Sequence, residues 1–275
     1  MLKVENLDIH FEDRGGRQEV VRKISFSVAD GEIVGIVGES GSGKTMTALT
    51  IAGLQKKDAI LDGGDIYLDD KNILKLTEKE MHKVQGADIS MIFQEPMTAL
   101  NPTMKIGKQV EEGLKLHTNL SKKQREAKVL KALTEVELDH PEILYHKYPY
   151  ELSGGMWQRV MIAAAIVCRP KLLIADEPTT ALDVNTQESI LQLLKKLNQK
   201  YKMSILFISH NLRVVNELCT RVLVMKNGSI IEEGDSESIF TNPQQDYTKE
   251  LIAAIPTRMK SNHYYEMMRG GEFRV

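Results

Sequence analysis

The chain has 275 residues, of which 42% are hydrophobic and 27% charged, a composition typical of a globular protein large enough for one sizeable domain. Its net charge of −2 gives no support for general affinity for nucleic acid, so no nucleic-acid partner is expected. The longest apolar run, residues 160–168, is too short to span a bilayer, and the acidic start is unlike a secretory signal. Two cysteines without pairing or metal-ligand spacing favour a protein of the reducing cytoplasm, which would reach a membrane only through a partner.

The first elements are predicted to be two strands joined by a hairpin. Residues 2–11 and 24–28 alternate between apolar and polar side chains, and residues 13–17 carry a Gly-Gly pair typical of a turn. Phe11 closes the first strand. Its ring could stack on an adenine base, or it could be an ordinary core or edge phenylalanine, and spacing alone favours neither interpretation.

The strongest local signal is the segment Gly-Glu-Ser-Gly-Ser-Gly-Lys-Thr at residues 38–45. It follows an apolar strand candidate at residues 33–37 and precedes a helix candidate at residues 46–54. This strand–loop–helix context predicts a phosphate-binding loop, in which backbone N–H groups and the new helix start face one anion. Lys44 suits the β- and γ-phosphates, and the Thr45 hydroxyl suits Mg²⁺. The predicted nucleotide contacts are Gly38, Glu39, Ser40, Gly41, Ser42, Gly43, Lys44, Thr45 and Met46.

Beyond this loop, residues 62–70 indicate a turn followed by a short strand, and residues 77–80 form a capping-box pattern that opens a helix. Residues 89–93 are a buried-strand candidate that ends at Gln94. A glutamine at the mouth of a strand could reach a metal or an attacking water, although such a residue is often only part of a loop.

Residues 107–169 lack strand alternation and are predicted to form a helical subdomain inserted between two strands of the core. A capping box at residues 121–124 supports one of its helices. Residues 153–155, Ser-Gly-Gly, precede another helix and form a second helix start suited to an anion. Taken alone, this pattern is more typical of a plain N-cap.

Residues 172–177 are predicted to be a buried strand that runs into two adjacent carboxylates. Asp176, at the carboxyl end of a parallel strand, can hold Mg²⁺ through water, and Glu177 can orient and polarise an attacking water. An amphipathic helix follows, marked by apolar residues 190, 193, 194 and 197. The next strand, residues 204–209, delivers His210 at its tip, and residues 222–231 predict a hairpin with an Asn-Gly turn.

The order of these motifs resembles that of ATP-binding-cassette ATPases over residues 2–255. The resemblance implies an α/β P-loop NTPase fold with a mostly parallel sheet core, an antiparallel β edge and the helical subdomain. It also implies that two cassettes pair head to tail, each completing the other's ATP site through a signature motif, here Ser153, Gly154, Gly155 and Met156. In this family Glu177 would be the catalytic base, Gln94 a switch-loop residue that also faces the metal, and His210 a γ-phosphate switch. Thr45, Gln94 and Asp176 would hold Mg²⁺, so the implied cofactors are ATP and Mg²⁺.

The closer resemblance is to ATP-binding subunits of dipeptide, oligopeptide and nickel importers, on residues 38–44, 92–102, 152–159 and 174–183. It implies a peripheral ATPase on the cytoplasmic face of the membrane. Its partners would be a second, similar but distinct cassette, two transmembrane permease subunits and, indirectly, an extracytoplasmic substrate-binding protein. Met156 and Asn211 depart from the broad cassette pattern, and Asn211 could soften the electrostatics of His210.

Two alternatives stay open. A short tail, residues 256–275, makes nickel or a metal chelate a rival to peptides as cargo, and a soluble cassette ATPase outside transport is a weaker alternative. The loop at residues 95–104 is expected to expose Met97, Leu100 and Met104 for docking by a helix of a permease subunit.

Overall fold

The computed structural model describes residues 1–13, 16–56, 58–94, 99–180 and 182–255. The predicted tail at 256–275 and Met97 lie outside these residues. The strands are β1 (Leu2–Asp13), β2 (Gly16–Val28), β3 (Ile33–Val37), β4 (Ala59–Leu68), β5 (Lys71–Asn72), β6 (Ile89–Ile92), β7 (Leu172–Asp176), β8 (Ser204–Ile208), β9 (Arg221–Lys226) and β10 (Ser229–Asp235).

The helices are α1 (Lys44–Ile51), α2 (Glu78–Val84), α3 (Ile106–His117), α4 (Lys122–Glu135), α5 (Pro141–Leu144), α6 (Gly154–Ile166), α7 (Val184–Tyr201), α8 (Leu212–Leu218), α9 (Ser236–Thr241) and α10 (Asp246–Ala253). Both predicted capping boxes are present, with Thr77 and Ser121 each accepting a hydrogen bond from the backbone of the third helical residue. Among the described residues, no helix is both long and apolar enough to cross a membrane.

The strands form two sheets, which confirms the predicted α/β class. A six-stranded sheet has the order β10-β9-β3-β8-β7-β6, in which all neighbours are parallel except the edge pair β9–β10. A separate antiparallel sheet has the order β2-β1-β4-β5. The antiparallel part of the fold is therefore a second sheet together with the edge strand β10, whose turn at Asn227 and Gly228 has the positive φ angles that an Asn-Gly hairpin requires.

Alternate residues of the parallel strands pack into two cores, one on each face of the sheet. In β7, Leu172 and Ile174 join the core shared with α1 and the antiparallel sheet, whereas Leu173 and Ala175 join the core shared with α3, α4, α6 and α7. All five β7 residues are buried, as expected for a central parallel strand. The four helices α3–α6 span residues 106–166 and so match the region predicted to be helical to within one residue at its start. Its assignment as a separate subdomain stays a prediction.

Two local predictions were wrong. The sequence predicts a turn at the start of residues 62–70, but residues 62–68 lie inside β4, where the β1–β4 register shifts. A Cβ on Gly64 would lie 2.6 to 2.7 Å from backbone atoms of Glu5, Asn6 and Leu7. This glycine pair therefore forms an irregularity within a continuous strand.

The second wrong prediction is the exposure of Leu100. Only 6% of Leu100 is accessible, and it packs in the core with the helices, because burial of its apolar side chain outweighs its position in a loop. Met104 is half-buried.

Candidate functional site

The parallel strands direct the predicted site residues to one edge of the sheet. Residues 38–43 follow β3, Gln94 follows β6, Asp176 ends β7 with Glu177 next, and His210 follows β8. Since these strands are parallel neighbours, their carboxyl ends meet at the same edge. This is the position in which open α/β sheets bind ligands.

The backbone of the loop between β3 and α1 passes very close to its surroundings. Gly38 and Gly43 have φ angles of 149° and 100°. A Cβ on Gly38 would lie 2.1 Å from the carbonyl oxygen of Met225, and one on Gly43 would lie 2.5 Å from the carbonyl oxygen of Val20. Only glycine fits at these two positions, so the motif's glycines serve both the turn and the packing of the loop.

Lys44 is the first residue of α1, directly after this loop, and is only 6% exposed. Its Nζ donates to the carbonyl oxygens of Gly38 and Glu39, each at 2.8 Å. Burial lowers the pKa of Lys44, while the charges of Glu177 and Asp176 partly oppose this effect. The ammonium is thus held at the start of α1, beside the end of the helix that favours an anion.

Asp176 and Thr45 face each other across the site. The Thr45 hydroxyl donates to Asp176 Oδ1 at 3.4 Å, and Asp176 is 2% exposed. Burial raises the pKa of Asp176 to about 6, and the neighbouring charge of Glu177 adds to this, against the opposing effects of Thr45 and Lys44. These oxygens are the hard ligands that Mg²⁺ prefers, and two protein oxygens suit an ion that keeps water and phosphate as its other ligands. The residues present therefore fit a magnesium site.

Glu177 is held by three other side chains. Gln94 Nε2 donates to its carboxylate at 3.1 Å, the Thr180 hydroxyl at 2.9 Å, and His210 Nδ1 lies 2.9 Å from Oε1. The Glu177 backbone has a φ of 47°, a conformation that few non-glycine residues adopt, and its N–H donates to Ile208 O at 2.9 Å. Strained residues held by their surroundings are frequent at functional sites. The arrangement fixes one oriented carboxylate beside the Asp176 carboxylate.

The pocket at this edge extends from the phosphate loop toward the loop that follows β6. Its lining residues are Thr45, Leu49, Met91, Phe93, Gln94, Ala99 and Asp176. Phe93 is 42% exposed there. The pocket lining therefore combines three polar side chains with four apolar ones.

The signature residues lie elsewhere. Ser153 is the N-cap of α6, but its hydroxyl makes no capping hydrogen bond. A Cβ on Gly155 would lie 3.0 Å from Thr186 Cγ2, which places the start of α6 against the start of α7. Among the described residues, no hydrogen bond or ion pair joins Ser153, Gly154, Gly155 or Met156 to the phosphate loop. The structure thus does not bring these four residues to the chain's own phosphate loop.

The remaining predicted contacts have mixed environments. Glu39 and Ser40 are exposed, whereas Ser42 is buried. The Met46 side chain packs in the core, so only its backbone N–H can serve a ligand. Phe11 lies in β1 between Gln18 and Ala59, half-buried, and its stacking on a base stays a prediction.

Sequence reasoning missed two residues that touch the site. Thr180 lies three residues after Glu177 and donates a hydrogen bond to its carboxylate. A hydroxyl side chain this close in sequence is a local signal from which the contact could be predicted. Tyr247 accepts a hydrogen bond at 3.0 Å from the N–H of Glu39, 208 residues away in sequence, and no local pattern indicates it.

Comparison with known proteins gives consistent matches. The sequence profile of the ABC transporter family matches residues 21–180. The dipeptide transport ATP-binding protein DppD of Haemophilus influenzae is 44% identical over 98% of this chain and 82% of its own length. The glutathione import ATP-binding protein GsiA of Escherichia coli K12 is 45% identical over 93% of this chain and 42% of its own length.

Solved structures match as well. The dimeric post-hydrolysis structure of the ATP-binding cassette MJ0796, bound to ADP and Pi, superposes with a TM-score of 0.77 at 30% identity, covering 86% of this chain and 99% of that one. CbiO1 from Clostridium perfringens, part of the ABC transporter complex cbiONQ, superposes with a TM-score of 0.77 at 28% identity, covering 98% of each chain.

Proposed function

Because this chain belongs to the ABC transporter family and is an ATPase, we propose that it powers a membrane importer for dipeptides or other short peptides. The observation that carries the proposal is the geometry of Glu177. Its oriented carboxylate stands beside Asp176 at the sheet edge that also carries the phosphate loop. The cargo class rests on the similarity to the dipeptide transport protein.

In this proposal the loop binds the phosphates of ATP. Backbone N–H groups of the loop, other than that of Glu39, and the start of α1 face the phosphates. Lys44 contributes a positive charge that is already held in place by two loop carbonyls. Thr45, Asp176 and Gln94 would hold Mg²⁺. When bound, Mg²⁺ would neutralise part of the phosphate charge during transfer.

Glu177 accepts a proton from the attacking water. Three donors around it, on Gln94, Thr180 and His210, restrict its carboxylate to one orientation, which a general base needs. His210 and Gln94 follow two other strands of the same edge, so they can transmit the state of the nucleotide to the elements that follow them. Both residues act as positioning groups for Glu177.

A second cassette completes the site. The hydroxyl of Ser153 makes no capping hydrogen bond, and with the glycines after it forms an anion-ready helix start. Within the part of the chain that the structure describes, no hydrogen bond joins it to the chain's own phosphate loop, which supports its use by another cassette. A similar cassette, MJ0796, has been solved as a dimer with ADP and Pi. The partner in the assembly is a similar, distinct cassette.

Two permease subunits anchor the pair at the cytoplasmic face of the membrane, and a substrate-binding protein delivers the cargo from the other side. Phe93, which is 42% exposed just before the loop at residues 95–104, supports docking of a permease helix at that loop. Nickel or a metal chelate is the alternative cargo, and a cassette ATPase without a permease is a third possibility.

The ATPase is tested by the substitution Glu177→Gln, which keeps the size of the side chain but removes its charge and its proton-accepting capacity. Hydrolysis should fall by about two to four orders of magnitude, the usual effect of a positioned base, while ATP binding survives. Glu78→Gln is the matched control, since that side chain is 90% exposed on α2. Normal hydrolysis by Glu177→Gln, measured with an inactive partner cassette, would rule out Glu177 as the base.

The cargo is tested with the assembled transporter in liposomes, with ATP on the side of the cassettes. Uptake of a labelled dipeptide should exceed uptake of labelled Ni²⁺ and should be lost with Glu177→Gln. Ni²⁺ uptake without dipeptide uptake would replace the peptide assignment with the metal one. Failure to associate with any permease subunit from detergent-solubilised membranes would favour the stand-alone ATPase.

A further inference from the structure

We propose that Tyr247, on the last described helix, is a positioning residue for the phosphate loop and sets the placement of Lys44 for ATP. Tyr247 lies in α10 (Asp246–Ala253) and is 6% exposed. Its hydroxyl accepts a hydrogen bond at 3.0 Å from the backbone N–H of Glu39, the second residue of the loop. The inference rests on the proposed role of this loop as the ATP phosphate site.

The same peptide unit contacts both Tyr247 and Lys44. The N–H of Glu39 and the carbonyl of Gly38 belong to one planar unit. That N–H donates to the Tyr247 hydroxyl, while Gly38 O accepts from Lys44 Nζ at 2.8 Å. Because the unit is rigid, fixing its N–H also fixes the carbonyl that holds the ammonium. Hydrogen bonds linked in this way also polarise one another.

Tyr247 is itself rigidly placed. The ammonium of Lys226 lies 4.3 Å from the centre of its ring, a favourable cation–π contact. Glu232 on β10 accepts hydrogen bonds from the backbone N–H groups of Gln244 and Gln245, at 2.7 and 3.1 Å, and from the hydroxyl of Thr248. The start of α10 is therefore tied to the β9–β10 hairpin.

The β9–β10 hairpin also contacts the phosphate loop directly, near the end of the loop that precedes α1. At its turn, the N–H of Gly228 donates to the carbonyl of Ser42 at 3.1 Å. The loop is thus held from two sides, by Gly228 at Ser42 and by Tyr247 at Glu39. Such bracing before ATP arrives reduces the ordering that binding would otherwise require.

The test is Tyr247→Phe in the full chain, which removes one oxygen and keeps the ring over Lys226. Loss of one hydrogen bond predicts an ATP Kd and KM about three- to tenfold higher, with kcat nearly unchanged, because Glu177 and Asp176 are untouched. Tyr201→Phe is the matched control. It also removes a hydroxyl from a partly buried tyrosine on a helix, but that hydroxyl bonds Glu135 and lies outside the site.

Amide hydrogen exchange in nucleotide-free protein tests the bond without ATP. Residues 37–43 should exchange faster in Tyr247→Phe than in the wild type, and no faster in Tyr201→Phe. Unchanged exchange of this segment, an unchanged ATP Kd, or an equal loss of affinity in Tyr201→Phe would each overturn the positioning role while leaving the ATPase assignment intact. Failure of the wild-type chain to bind ATP would instead overturn the proposed function, and this role with it.

Discussion

The buried carboxylate of Asp176 should destabilise the nucleotide-free protein. Asp176 is 2% exposed, and the Thr45 hydroxyl donates to it at 3.4 Å, a long hydrogen bond. Burial raises the pKa of Asp176 from 3.8 to about 6. A shift of this size corresponds to about 3 kcal/mol between the charged and neutral forms. The substitution Asp176→Asn, which keeps the shape and removes the charge, should therefore stabilise the fold.

The sign of the pH dependence follows from the raised pKa. The folded protein prefers the protonated carboxyl, so the destabilisation is absent below pH 3.8 and complete above about pH 6. In metal-free buffer without nucleotide, Asp176→Asn should unfold with a free energy up to about 3 kcal/mol higher than the wild type at pH 8. At pH 5 the difference should shrink to about half of that value.

Urea unfolding at the two pH values measures this difference. Asp69→Asn is the control, because this aspartate makes a solvent-exposed ion pair with Lys171 and should change stability by less than about 1 kcal/mol. Addition of ATP with Mg²⁺ should stabilise the wild type more than Asp176→Asn. If Asp176→Asn were no more stable than the wild type at pH 8, Thr45 and Lys44 would compensate the charge fully, and the reasoning from burial would be refuted.

Two further predictions concern the division of the site between cassettes and the stability of the helical region. Lys44→Ala should weaken ATP binding by the isolated subunit by about ten- to a hundredfold, because it removes a charge-assisted contact, whereas Ser153→Arg should leave that binding unchanged and damage hydrolysis only in the paired assembly. Titration calorimetry measures ATP binding by both variants, and an equal loss in the two would contradict the head-to-tail arrangement. Glu111→Gln should lower the free energy of unfolding by about 3 kcal/mol at pH 7, because Glu111 is 1% exposed and pairs with Lys108 and Arg125 at 2.7 and 2.8 Å. Burial alone would raise the pKa of Glu111, but its hydrogen bonds to those two cations lower the pKa below 4.5. The loss of unfolding free energy in Glu111→Gln should therefore shrink as the pH falls through and below that value. A loss independent of pH in urea unfolding would refute the stabilising role of the charged Glu111.

Local sequence determined the features that depend on neighbours along the chain. The phosphate loop, the capping boxes that begin α2 and α4, and the Asn-Gly turn after β9 are all governed by residues within a few positions of one another. The position of the adjacent carboxylates Asp176 and Glu177 in the site was also predictable from the sequence, because a buried parallel strand places its last residues at the edge of the sheet where ligands bind. Motif order was then sufficient to indicate the family.

Tertiary structure alone decided what depends on contacts between distant segments. The loop glycine Gly38 lies against Met225, and Glu39 bonds Tyr247, contacts that span about two hundred residues and leave no local pattern. Burial of Leu100 and the passage of β4 through Gly64 also depend on which elements pack against them. The pKa of Asp176 is of the same kind, since the sequence specifies a carboxylate, but only the fold specifies how little water reaches it and which charges stand beside it.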